Sequence, residues 1–338
     1  MHDSLVIDDL VDQAIATIGR AALAVPGEYK RYAGVGDLRS AAVNAYGVAD
    51  AANLLYTCGH FPPHGSALRE GFVRTLQAMQ NPQTGLWHEG SHYDYHCTAH
   101  CIAALELFDA QPHYPLAALA PMKSADGIIK LLEGLNWVGN AWSDSHRGAG
   151  VFASLLLTDS ADSEMRDTYF NWLDRETDPH SGLLRRSALP GQAAGSLPLF
   201  HHLGSTFHYL FNTVADRRPI PHAAALVDTC LALFESGLVA SEFTSQISFI
   251  YIDWVYCLER GVRQSGHRAS EARQAMSTSA EWLVKYMRSI NFSTQERWND
   301  LHMLFGSWCA LAELQAAVPG RIRTRRALKN VLDRRPFI

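Results

Sequence analysis

Three short stretches of this chain crowd histidines, acids and phenols together: Trp87-His88-Glu89-Gly90-Ser91-His92-Tyr93-Asp94-Tyr95-His96, Trp142-Ser143-Asp144-Ser145-His146-Arg147, and Glu296-Arg297-Trp298-Asn299-Asp300-Leu301-His302. Two further groups add to them: His201, His202, His208 and Tyr209, then Glu242, Gln246, Tyr251 and Asp253. A plainer group holds Arg39, Asn44 and Tyr46. Carboxylates beside imidazoles and phenols suit general acid–base catalysis. Asp94 is the expected principal acid/base, with Asp144 or Asp300 as a second carboxylate or a ring-hydroxyl anchor. His96, His202 and Tyr93 are expected as hydrogen-bonding or proton-transfer groups. Trp87, Trp142 and Trp298 would offer apolar faces to a ligand ring, and Arg147 or Arg297 would pair with a ligand carboxylate. His88, His146, His201, His208, Tyr209, Gln246, Tyr251, Asn299 and His302 complete the expected substrate-binding set.

Each acid also has a plainer reading. Ser, Asp and Asn cap helices, and acids favour the first helical turn, so Asp144 and Asp300 could be only that. Capping does not account for histidines, tyrosines and tryptophans at the same helix ends, whereas a polar, aromatic-lined cleft does. His96 and His100 are four apart and share a helix face. They could ligate a metal with Asp94 or Asp144, but neither His-Glu-x-x-His nor Cys-x-x-Cys is present, so a hydrogen-bonded core His100 is expected, and no metal or other cofactor. No Gly-x-Ser-x-Gly elbow or phosphate loop occurs, and Cys97 and Cys101 fall on an apolar helix where small buried residues are expected.

These groups sit at the starts of helices. Segments of 3.6-residue apolar periodicity alternate with short Gly-, Pro-, Asp- or Ser-rich stretches. Pairs are predicted at 37–58 and 64–80, 92–109 and 122–136, 143–158 and 161–175, 199–216 and 220–237, 242–264 and 268–290, and 297–317 and 321–333. The first member of each pair is apolar nearly all round and must be enclosed by protein; the second keeps a polar face. An inner ring within an outer ring meets both needs. The expected fold is therefore an all-α (α/α)6 toroid of about six hairpins in one domain over 1–338, with a leading helix at 4–24 covering one end and a basic helix or tail at 319–338. A stacked solenoid is the structural alternative. One echo supports repetition: Asn81-Pro-Gln-Thr-Gly-Leu86 recurs as Asp178-Pro-His-Ser-Gly-Leu183, each a turn ahead of an inner helix.

Composition agrees with an ordinary folded domain. Hydrophobic residues make up 47% and charged residues 19%, too apolar for disorder, and no apolar run reaches the length of a membrane span. The acidic N-terminus lacks signal-peptide features, and six scattered cysteines lack the spacing of a disulfide scaffold, so a cytoplasmic protein with buried thiols is expected. Residues 319–338 hold seven Lys/Arg against one Asp; this tail carries +6 and the remainder −11. It is read as a solvated last helix, not a nucleic-acid patch.

The run Asn81-Pro-Gln-Thr-Gly-Leu-Trp-His88, followed by Asp94, resembles the turn of the unsaturated glucuronyl and rhamnogalacturonyl hydrolases, and Trp142-Ser-Asp-Ser-His-Arg147-Gly148 looks like their Trp-x-Arg-Gly segment. That resemblance implies a toroid hydrolase of small uronic-acid-containing sugars, with Asp94 at the catalytic carboxylate position and Arg147 near the substrate. Tyr93-Asp94-Tyr95-His96 with His100 also resembles a segment of glucuronyl C5-epimerases, where tyrosine transfers protons at a uronate. The leading expectation is a carbohydrate-active hydrolase, lyase or epimerase on a uronic-acid-containing oligosaccharide. A second is a toroid like those of terpenoid cyclases and prenyltransferases, enclosing an isoprenoid with Phe207, Tyr209, Phe211, Phe249, Tyr251, Trp254, Phe305 and Trp308. Its Asp8-Asp9-x-x-Asp12 run matches a diphosphate motif in letters, but is read as helix-start acid. A third is a non-catalytic helical scaffold, in which the helix-start residues would diverge.

Overall fold

Helices form where the periodicity is strongest, and the computed structural model describes them over residues 4–34, 41–191 and 198–338. Arg39 lies outside the described residues. In chain order the elements are β1 (Leu5–Val6), α1 (Asp8–Ala21), α2 (Ala45–Thr57), α3 (Ala67–Ala78), α4 (Asp94–Glu106), α5 (Ala125–Glu133), α6 (Ala141–Leu157), α7 (Ser163–Glu176), α8 (Leu199–Ala215), α9 (Ala223–Glu235), α10 (Leu238–Ser245), α11 (Ile250–Ser265), α12 (Ala269–Ser289), α13 (Leu301–Ala317), β2 (Ile322–Arg323) and α14 (Val331–Arg334). The fold is all-helical apart from one two-residue parallel pairing of β1 with β2. Among the described residues no single helix is long and apolar enough to cross a membrane. All six cysteines are free and buried.

The apolar helices find one another. α2 packs on α4, α4 on α6, α6 on α8, α8 on α11, α11 on α13, and α13 returns to α2, so six helices close a circuit of contacts. Every residue of α2 but Tyr56 is buried, whereas α3 and α12 bury one stripe each. Burial on all sides is what a helix enclosed by protein requires.

The echo noted in the sequence is one of a set. Asn81 and Asp178 each accept, on the backbone carbonyl, the N–H of the glycine four residues on at 2.8 Å. Gly85 and Gly182 take φ of 74° and 68°, conformations that favour glycine. Asn136 and Asn291 make the same bond to Asn140 and Gln295 at 2.9 Å. In all four turns the Asn or Asp side chain also accepts a backbone N–H two or three residues on. Each turn links an outer helix to the next inner one, which sets where the inner helix begins.

Three expected boundaries change. Of the first predicted helix, 37–40 lie outside the described residues, 41–44 are not helical, and α2 begins at Ala45. The fifth is broken at 246–249, where the Ser248 hydroxyl accepts the Ile250 N–H and starts α11 afresh. The stretch 321–333 does not form a long helix: after Pro319-Gly320 it pairs in extended form with β1 and ends in the one-turn α14. Its bases are not solvated as a group. Arg321 and Arg335 are buried, Arg325 pairs with Asp8 and Asp12, and Arg334 pairs with Glu106 and Asp109. The place beside α13 and α2 is taken by α1, which packs on both from the side. Its acids are spent on Arg325 and Arg288, which removes the diphosphate reading of Asp8-Asp9-x-x-Asp12.

Candidate functional site

A backbone segment at 29–33 lies across the start of α2. Gly47 makes that possible, since a Cβ there would stand 2.5 Å from the Lys30 carbonyl carbon. The segment is fastened to the start of α13, with Leu301 N–H donating to the Arg31 carbonyl at 3.1 Å and Ala33 N–H to that of Asn299 at 2.7 Å. Arg31 is thereby held inward, and Asp300 accepts from its Nε and Nη2 at 2.9 Å each. Glu89 and Ser91 take its Nη1. Burial works against both charges, but the pairing outweighs it: Arg31 is held above its ordinary range and Glu89 below. Asp300 also caps α13 through His302 N–H. Its role is to position Arg31 and start a helix, not to serve as a free acid.

Beyond Arg31 lies a cavity of about 380 Å³, reached by Arg31, His92, His96, Trp142, Ser143, His146, Phe207, His208, Gln246, Ser248, Phe249, Ile250, Arg297, His302, Met303 and Ile338. Five imidazoles from α4, α6, α8, α13 and the turn before α4 meet here. Ring centroids are 4.8 Å apart for His92 and His96, 4.4 Å for His96 and His146, and 4.0 Å for His146 and His208. Behind them Tyr46 stacks on His92 and His100 at 5.0 Å, and its hydroxyl bonds His96 Nδ1. Among the described residues no acidic or phenolic side chain lines the cavity.

The hydrogen bonds assign the proton positions. Ser145 donates to the Trp142 carbonyl at 2.6 Å, so its oxygen accepts from His208 Nδ1 at 2.7 Å. His208 Nε2 is then an acceptor, His146 Nε2 donates to it at 2.9 Å, and His146 Nδ1 keeps a lone pair. Burial holds these rings neutral. His96 and His146 are pushed well below the ordinary imidazole range by burial and then by neighbouring imidazoles, and His208 is pushed down to about 3 by burial.

Beneath the cavity, fully buried Asp50 on α2 lies 2.7 Å from His100 Nε2 and 3.2 Å from His302 Nδ1. Burial raises its carboxyl, but His100 and His302 outweigh that and hold it below the ordinary range. The far side of the centre is filled from the chain's last turn: Phe337 is buried, with its ring 4.9 Å from His96 and 5.4 Å from Phe211.

Of the expected site residues, His96, His146, His208, His302, Trp142, Gln246 and Arg297 reach the cavity. The others do not. Asp94 opens α4 in its first turn and pairs at 2.7 Å with His88 on the surface, both well exposed. Asp144 is saturated by Tyr93 hydroxyl, Asn140 and Asn136 N–H, which ties down the 134–140 turn; Arg147 lies 3.8 Å from it and stacks on the Tyr93 ring. Trp87 and Trp298 are core, donating to the Leu76 carbonyl and to Thr17. Asn299 donates to the Phe292 and Gln295 carbonyls and accepts from Arg20. His201 meets Trp142 edge-on, while His202, Tyr209 and Tyr251 are buried outside the cavity. Of the aromatic set weighed for an isoprenoid, only Phe207 and Phe249 reach it.

Sequence reading missed Arg31, His92 and Asp50 as members. His92 lay inside the quoted 87–96 run, but Arg31 and Asp50 carried no local signal: one sits in an irregular segment, the other mid-helix among alanines.

A larger concavity, about 790 Å³, between α3 and the 108–114 loop is lined by Arg69, Glu70, Arg74, His113 and Tyr114, with one imidazole where the histidine-lined cavity has five. No protein-family model, no curated protein and no solved structure matches this chain.

Proposed function

We propose that the chain is an (α/α)6 toroid acting as a lyase on a small uronic-acid-containing sugar, the α13–α2 contact closing the ring and the cavity at the inner helix starts serving as its active site. The observation that carries this reading is the lining: Arg297 and five imidazoles, of which burial holds His92, His96, His146 and His208 neutral, with no acidic or phenolic side chain among the described residues that line it. Hydrolysis by paired carboxylates needs two acids flanking the bond, and the acids expected for it are engaged elsewhere.

The Arg297 guanidinium makes one hydrogen bond among the described residues, from Nη1 to the Ile247 carbonyl at 2.9 Å, and presents its remaining donors to a carboxylate. With the carboxylate so held, His146 Nδ1 takes the proton from the adjacent carbon. The electron pair moves into the carboxylate as an enolate that the guanidinium stabilises. It then returns to form a carbon–carbon double bond as the β-oxygen leaves. The leaving oxygen needs a proton, and the histidinium just formed at His146 is the acid at hand, because burial holds His92, His96 and His208 neutral. One group removing and returning the proton balances an elimination. An epimerisation would need a second, already protonated group on the opposite face. Trp142, Phe207 and Phe249 supply apolar faces for the ring.

Titrating glucuronate and galacturonate against glucose and galactose tests the binding half of this reading. Uronates are expected to bind and neutral sugars to bind far more weakly; Arg297→Ala should weaken uronate binding about 30-fold, the worth of a charged hydrogen bond. Equal binding of neutral and acidic sugars would reject it.

A further inference from the structure

We propose that Asp50, His100 and His302 form a binding site for one divalent transition cation, zinc being the best fit, seated one layer beneath the cavity. This goes beyond the lyase reading and does not rest on it, since the proton transfer assigned to His146 uses none of the three.

Three helices that meet in the contact circuit, α2, α4 and α13, each contribute one ligand, and one atom of each lies within 4.8 Å of the others. A zinc ion sits about 2.0–2.2 Å from imidazole nitrogen and carboxylate oxygen, which places tetrahedral ligands roughly 3.3 Å apart. From the single atom Asp50 Oδ1, His100 Nε2 lies at 2.7 Å and His302 Nδ1 at 3.3 Å, so the first distance must open by about half an ångström and the second already fits. Two imidazoles and a carboxylate are a borderline donor set of the kind zinc and its neighbours favour over magnesium or calcium.

Charge gives the second reason. Asp50 is fully inaccessible, and a buried carboxylate is costly without a compensating positive charge. Its immediate neighbours are the imidazoles of His100 and His302. The nearby cation, Arg335, is turned to Asn53 and to the Pro336 and Phe337 carbonyls. Asp50 Oδ2 lies 3.2 Å from His302 Nδ1 but makes no hydrogen bond among the described residues. A divalent ion compensates the charge and takes that oxygen, and neutral imidazoles are the ligating form. Tyr46 covers the site, its ring stacked at 5.0 Å on His100 and edge-on at 4.6 Å to His302.

Binding has a consequence for the cavity. His302 reaches it, and with Nδ1 bonded to Asp50 its Nε2 carries the lone pair. Metal on Nδ1 moves the ring's one proton to Nε2, so loading converts His302 from an acceptor to a donor at the cavity wall.

The test is a chelator-treated full chain titrated with Zn²⁺ alone by calorimetry, alongside Asp50→Asn, His100→Gln and, as a control outside the ligand set, His92→Gln. One equivalent is expected, at least 100-fold weaker in the first two variants and unchanged in the control. Wild-type binding no tighter than that of folded Asp50→Asn would overturn the proposal. Because a core variant can fail to fold, wild-type chain is also loaded with Co²⁺: intense visible absorption of a four-coordinate ion is expected, and its absence overturns the proposal whatever the variants do. Neither readout depends on turnover, so failure here is distinguishable from failure of the lyase reading.

Discussion

Replacing His146 by glutamine is expected to lower kcat on the uronate substrate by about 10²- to 10⁴-fold, the usual worth of a positioned proton-transfer group, with little change in KM. Glutamine keeps an N–H for His208 but has no lone pair of imidazole basicity, so the surrounding bonds can persist while the chemistry is lost. Ser145→Ala should have a milder effect, because Ser145 acts only through the ring orientation and tautomer of His208 and, through it, His146. The pH profile separates a chemical role from a structural one. The neutral form of His146 is the base, and burial pushes that ring well below its ordinary range. Activity should therefore persist to pH values below the ordinary imidazole pKa of about 6.5, with the acid limb lying lower still. An acid limb centred on 6.5 or above would show that a different group takes the proton.

The same burial makes the fold acid-labile. His208 titrates near 3 when folded, against about 6.5 in an open chain. Between those values the unfolded chain takes up a proton that the folded chain refuses, so stability is complete above about 6.5 and falls as the pH drops through that window. At pH 5 the loss from His208 alone is about 2 kcal/mol. His92, His96, His100 and His146 are shifted in the same direction, each chiefly by burial. Asp253 and Glu313 oppose them, because burial raises both carboxyls and the folded chain then holds protons the unfolded chain sheds. Two acids oppose five imidazoles, so the balance on acidification is a net loss, and the roughly 2 kcal/mol from His208 alone is a sizeable share of the stability of an ordinary domain. The urea midpoint at pH 5.0 should therefore lie below that at pH 7.5. An equal or higher midpoint at pH 5.0 would mean that the histidines are solvated in the folded chain.

The helices were legible because their burial pattern is written in every turn of the sequence: α2 and α13 are apolar all round, and both turned out enclosed. The turns were half legible. The two carrying Pro and Gly stood out, whereas Asn136 and Asn291 build the same hydrogen-bonded loop with only an asparagine to mark it. The tail misled because bases were read as a solvated face; their partners, Asp8, Asp12, Glu106 and Asp109, are more than 200 residues away. The candidate site failed in a similar way. Asp94, Asp144 and Asp300 stood at helix starts, and helix starts are where their carboxylates are used, as a first-turn acid, a turn fastener and a cap. The histidines had no such local employment, and they are the residues that converge. Asp50 and Arg31 became visible only when helices distant in sequence closed around them.

The central claim, elimination at a uronate by the histidine-lined cavity, is tested most directly by incubating the full chain with disaccharides whose uronate carries the second sugar on O4, the oxygen β to its carboxylate, and following the ultraviolet absorbance of a conjugated unsaturated uronate together with the product masses. The account predicts a chromophore that grows with turnover and a product pair whose summed mass equals that of the substrate. Products whose summed mass exceeds it by one water, formed without the chromophore, would identify a hydrolase and contradict it.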